Sequence, residues 1–138
     1  MELWQHTVIS AAGSGAIYAV TGSLPAAAAF SATGIFVDLD HIPDYWRDHG
    51  FNLNLKPFFA HFDRKAPETL WLVLHGWEWP IAGLILGSKL GWPAWLLGAV
   101  GGWLLHLSLD QIFNRFQPMG YWFWYRARAG FESRKFIR

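Results

Sequence analysis

The 138-residue chain contains no cysteine. That absence removes disulfides, thiolate zinc sites and cysteine nucleophiles together, so any metal must sit on nitrogen and oxygen donors. Charge is scarce as well: Asp, Glu, Lys and Arg make up 15% of the residues against 53% hydrophobic, where an ordinary soluble domain is about a quarter charged. The deficit points to lipid. A mean hydropathy of only +0.17 excludes a chain that is apolar throughout and gathers the apolar residues into segments. A formal net charge of +1 leaves no electrostatic footprint for nucleic acid, and no basic run is interleaved with a nucleic-acid-binding module. No basic region precedes the first apolar stretch and no cleavage site follows it, which predicts a retained helix instead of a removable signal peptide. A chain of this length is expected to form a single domain, 1–138, with one core.

Four apolar stretches organise the chain. Thr21-Gly22-Ser23 followed by Pro25 reads as a helix end and a helix start, predicting one helix over about 3–21 and a second from 25 to 37. The second runs into Asp38-Leu39-Asp40-His41-Ile42-Pro43-Asp44 and ends there or within the following turn. Residues 45–68 mix charged, polar and aromatic side chains into one long polar loop, of a kind that is often functional. A third helix is expected over about 69–86 with a kink at Pro80, and a fourth from Trp92-Pro93 to about Phe113, separated by the turn at 87–91. The tail, 117–138, interleaves aromatic residues with Arg126, Arg128, Arg134, Lys135 and Arg138, a mixture suited to the membrane–water boundary.

The fold expected is all-α: a membrane-associated up-down bundle of about four core helices with an interfacial aromatic-basic tail. The first and fourth helices are long enough to cross or nearly cross a bilayer. The apolar part of the second reaches only roughly 20 Å against a hydrocarbon core of roughly 30 Å. Gly13, Gly15, Gly34, Gly98, Gly101 and Gly102, with the alanines of the second helix, suit close helix contacts. In an up-down arrangement His6, the cluster Asp38, Asp40 and His41, the pair His75 and Glu78, and the pair His106 and Asp110 all fall at one end. Of eleven Lys and Arg residues only Lys89 lies in the turns at the other end. The positive-inside rule then places the site on the cytoplasmic side of the membrane, with membrane lipid as the expected partner.

These residue types suit a divalent cation. His106 and Asp110, four apart, share a helical face, and His75 and Glu78, three apart, have the spacing of carboxylate–histidine pairs in metal-binding bundles. Asp38, Asp40 and His41 place three potential ligands in four residues directly after an apolar stretch, where ionised carboxylates are costly without a counter-charge. The alternative is that Asp40 caps a following helix while His41 and Asp44 face water. A set of His6, Asp38, Asp40, His41, His75, Glu78, His106 and Asp110 fits zinc, or manganese or iron, and is large enough for one or two ions. Water activated by the ion would attack a phosphoryl or acyl centre, with Glu78 or Asp40 taking the proton.

The early histidine, Gly34-Ile-Phe-Val-Asp38-Leu-Asp40-His41, Gly101-Gly-Trp-Leu-Leu-His106-Leu-Ser-Leu-Asp110 and Gln117-Pro-Met-Gly120 before the aromatic-basic tail together resemble the YdjM-type (DUF457) inner-membrane metal-dependent hydrolases. The resemblance covers most of the chain and implies a helical membrane protein with a hydrolase-like metal site, distantly similar to the zinc phospholipase C and P1 nuclease group. The chain departs from that pattern before its third helix, where His75-Gly-Trp-Glu78-Trp79 replaces an HRGxTHS-like segment; His61 or Asp63 of the polar loop is the other source of a ligand there. The function expected is phosphoester hydrolysis, of a lipid in one version, by metal-activated water. The alternative is a non-catalytic metal-binding membrane protein with a structural, regulatory or assembly role.

Overall fold

The computed structural model describes residues 3–51 and 67–137. The described residues are mostly helical and form no strand, only isolated bridges at Thr69–Glu132 and Phe116–Ile137. Helix α1 (Leu3–Thr21) ends where Gly22 takes φ +65, a left-handed conformation that costs glycine nothing. Ser23 then caps α2 (Leu24–Phe36): its hydroxyl accepts the Ala26 amide at 3.3 Å, and Pro25 occupies the first turn, where its missing N–H is not needed.

A single 3-10 turn, Val37–Asp40, leads straight into α3 (His41–His49). The start of the expected polar loop is therefore helical. Its period places Tyr45 and Asp44 against the protein and Arg47, Asp48 and His49 outward. The expected third helix begins at residue 78, not 69: α4 spans Glu78–Leu90. Residues 70–77 carry an apolar sequence that would tolerate a helix, but the amides of Trp71, Leu72, Leu74 and His75 bond to the carboxylates of Asp44 and Asp40, and the carbonyls of Trp71, Leu72 and His75 to Arg126. Pro80 consequently falls in the first turn of α4 and starts a helix instead of kinking one. Gly91, at φ +70, ends α4, and α5 runs Ala94–Phe113.

Helix α2 packs along both α1 and α5, and α4 packs on α5. The α2–α5 seam is built from backbone. A Cβ at Gly98 would collide with the Ala26 peptide and one at Gly102 with the Phe30 carbonyl, while Thr33 Oγ1 donates across the seam to the Ala99 carbonyl at 2.9 Å. Small residues four apart on α5 permit this approach.

The tail does not lie loose at a surface. A 3-10 turn (Pro118–Tyr121), α6 (Phe123–Arg128) and a last 3-10 turn (Ser133–Lys135) fold back on the segment before α4. Leu70, Leu72 and Phe136 form a small core there, flanked by Phe116, Tyr125, Ala129 and Ile137. Tyr121 and Arg126 are buried within the fold, unlike the interfacial position expected for them. Among the described residues one helix, α5, is both long and apolar enough to cross a membrane; α1 has the length alone.

The seam generates a contrast. Gly98→Ala pushes a methyl group into backbone and should destabilise by about 1–3 kcal/mol. Gly15→Ala meets nothing within 4 Å and should stabilise by roughly 1 kcal/mol through helix propensity. Thermal unfolding of the two variants checks this, and shifts of the same sign would refute the packing.

Candidate metal centre

Four chain segments deliver the site. Helix α5 supplies His106 and Asp110 one turn apart, α1 supplies His6, the 3-10 turn supplies Asp38 and Asp40, and the irregular segment before α4 supplies His75. His6, His75, His106 and Asp110 are each at most 2% exposed.

The donor atoms converge. His75 Nε2 lies 3.3 Å from His106 Nε2, and each of those nitrogens lies 3.3–3.4 Å from Asp38 Oδ1 and 3.4 Å from Asp110 Oδ2. Two ligand atoms on one tetrahedral ion stand this far apart, ~3.3 Å, when each bond is about 2.0–2.1 Å. The far nitrogens explain the orientation. His75 Nδ1 lies 2.8 Å from Asp40 Oδ1, and His106 Nδ1 lies 2.9 Å from the Gly34 carbonyl oxygen, which can only accept. With Nδ1–H donated in each ring, both Nε2 atoms present lone pairs to the same point. Two lone pairs at 3.3 Å repel unless an electrophile sits between them. Carboxylate and carbonyl partners of this kind are the usual outer support of metal-bound histidine.

His6 sits behind this set. Its Nε2 lies 2.9 Å from Asp110 Oδ1, which leaves Asp110 Oδ2 to face His75 and His106, and its ring stacks on His106 at 4.0 Å. Two overlapping groups can hold a metal ion, His6 with Asp38, His106 and Asp110, and Asp38 with His41 and His75. Asp38 belongs to both. Its Oδ2 and His6 Nδ1 are buried polar atoms without a hydrogen-bond partner, a signature of a site built for something more than its own side chains.

The electrostatics agree. Burial alone would raise the Asp38 carboxyl, but hydrogen bonds from His106 and His75 hold it far below the usual carboxylate range. Burial works against a charge on His75, yet Asp40, Asp110 and Asp38 outweigh it and raise that imidazole well above the ordinary histidine value. The carboxylates thus demand a cation at this point. His41 behaves oppositely, pulled down to about 4 by burial and by His75, and one of its ring nitrogens stays an acceptor at neutral pH.

Two expected site residues take other places. Asp40 spends both oxygens on the His75 segment: Oδ1 faces His75 Nδ1, and Oδ2 accepts the Leu74 amide at 2.5 Å and the His75 amide at 3.3 Å. It orients a ligand and is not placed to take a proton from water. Glu78 lies outside both metal-holding groups, its Oε1 accepting the Trp124 amide at 3.3 Å. His61 and Asp63 fall outside the described residues.

Asp44 and Arg126 were missed by sequence reasoning as parts of this site. Asp44, fully buried, accepts the Trp71 amide at 3.0 Å and the Leu72 amide at 3.2 Å and pairs with Arg47 Nη1 at 2.8 Å. Burial raises its carboxyl although all three partners oppose the shift. Its position four residues after Asp40, one helical turn on, was the available signal. No family model, curated protein or solved structure matches the chain.

If these four donors hold the ion, His106→Ala and Asp38→Ala each remove one of them and should abolish stoichiometric zinc in the purified protein. Asp40→Asn, which weakens only the support of His75, should lower affinity about 10- to 100-fold. Elemental analysis and competitive zinc titration measure both, and full metal content in the His106 and Asp38 variants would sink the assignment.

Proposed function

We propose that this protein is a membrane-bound hydrolase that cleaves a phosphoester with a divalent ion, zinc foremost and manganese or iron next, held by His75, His106, Asp38 and Asp110. The observation that carries the reading is the convergence of two support-oriented Nε2 atoms and two carboxylate oxygens at 3.3–3.4 Å. When bound, such an ion supplies Lewis acidity toward a phosphoryl oxygen and brings the pKa of water near neutrality.

The chain's own residues divide the remaining work. His6, Asp40 and the Gly34 carbonyl fix the buried donors. Asp38 and His41 form the wetter side, with side chains 15% and 24% exposed and His41 Nε2 3.9 Å from Asp38 Oδ1. A neutral His41 there can accept a hydrogen bond from an attacking water and orient it, and Asp38 Oδ2 can hold that water from the other side. Divided between the two groups that share Asp38, the same donors would instead serve two ions, one on His6, His106 and Asp110 and one on His41 and His75.

Membrane placement is part of the same proposal. Large apolar side chains stand exposed on α1 (Val8, Tyr18, Val20), α4 (Ile81, Leu84, Ile85) and α5 (Leu97, Ile112, Phe113), a surface that water alone does not suit. The basic residues flanking the site favour the cytoplasmic face of an inner membrane, with lipid as the neighbouring partner and candidate substrate. The resemblance to the YdjM-type hydrolases points the same way.

One observation favours a second reading, in which the metal only ties the helices together: four protein donors already fill a tetrahedral sphere. Turnover separates the two. Metal-loaded protein should hydrolyse bis(p-nitrophenyl) phosphate or a phospholipid, and His41→Ala should keep its metal while losing about 100-fold in kcat. Fully loaded protein with no turnover on either substrate would favour the scaffold.

A further inference from the structure

Arg126 was expected among the interfacial basic residues of the tail, yet its side chain is wholly buried. Among the described residues no carboxylate pairs with it directly. Its guanidinium donates instead to four backbone carbonyls: Nε to Trp71 at 3.2 Å, Nη2 to Leu72 at 2.6 Å, and Nη1 to His75 at 3.0 Å and to Gly120. Three of the four belong to the segment that carries His75.

That segment has no helix or sheet to hold it. Leu72 stands at φ +44, a region that L residues rarely occupy. Its amides are taken by carboxylates from one side, Trp71 and Leu72 by Asp44, and Leu74 and His75 by Asp40. Arg126 supplies the other side. Buried carbonyls need donors, and only a planar fork with five N–H groups reaches several in fixed directions at once. Lysine, with a single ammonium, cannot span the same set.

We propose that Arg126 is a positioning residue of the metal centre, fixing the backbone of residues 71–75 and through it the direction of His75 Nε2. The proposal rests on reading the cluster as a metal site. Its effect reaches the ion through His75 alone, since α5 holds His106 and Asp110 independently of the tail.

The test uses the full chain with Arg126→Lys and Arg126→Met. One readout is titration with cobalt(II) alone, followed by its visible absorption and by zinc competition. The other is the NMR signal of the His75 Nδ1 proton in metal-free protein, which the short contact with Asp40 shifts downfield. Both variants should keep the wild-type helical circular dichroism, bind cobalt about 10- to 100-fold more weakly, and shift or broaden the His75 signal. Wild-type affinity, an unchanged cobalt spectrum and an unchanged His75 signal in both variants would overturn the proposal. Should wild-type protein take up no cobalt, the metal reading fails separately, and the His75 signal alone decides whether Arg126 positions the ring. Should neither variant fold, the wild type decides. Arg126 guanidinium protons that are individually resolved and move with His75 on zinc addition support the role, and freely averaging ones refute it.

Discussion

Four carboxylates, Asp38, Asp40, Asp44 and Asp110, lie inside a chain that has little charge of any kind, and the need to compensate them organises the structure around the site. An ionised carboxylate taken from water without a partner is destabilised by several kcal/mol. Each of these finds a different solution. Asp44 takes two amides and Arg47. Asp40 takes two amides and an imidazole. Asp110 takes His6 and faces two further imidazoles. Asp38 faces those same two imidazoles and keeps one oxygen buried without a partner. Both oxygens of Asp44 and of Asp40 have partners, whereas one oxygen of Asp38 has none, which is where a cation has most to contribute.

This accounting also explains why the segment before α4 is irregular. A helix begun at residue 70 would bond the Leu74 and His75 amides to the carbonyls of residues 70 and 71 and take both amide donors from Asp40. Surrendering those amides to the carboxylates frees the carbonyls in turn, and Arg126 takes them. The loop, the tail and the two aspartates are therefore one cooperative unit, separate from the glycine-lined seam of α2 and α5. The seam fixes the rigid half of the site, because the Gly34 carbonyl of α2 meets His106 of α5 across it.

The rigid half is what the sequence discloses. His106 and Asp110 stand one turn apart in a long apolar helix, and nothing in α5 competes with that period. Asp38, Asp40 and His41 are conspicuous because they interrupt an apolar run. The supported half is hidden, since it depends on contacts distant in sequence. The start of α4 at Glu78 follows from Asp40 and Asp44, some thirty residues earlier, and local propensity cannot report it. The three-residue spacing of His75 and Glu78 implied a shared helical face, but His75 precedes the helix and Glu78 opens it, so the two diverge. Arg126 resembled its basic neighbours because composition does not distinguish a guanidinium facing headgroups from one facing carbonyls.

The difference in support between the two halves bears on what the site can do. His106 and Asp110 are fixed by α5 and by their outer partners, whereas Asp38 sits on a single 3-10 turn at the wetter side, next to His41. A centre built only to tie helices together gains from burying every donor equally. Here the most constrained ligands lie deepest, and the least constrained carboxylate is nearest to solvent, retains an unused oxygen and borders a histidine that stays neutral. Such a gradient puts the most adjustable donor at the most accessible point of the cluster, and it is the physical ground on which we propose a working metal centre over a purely structural one.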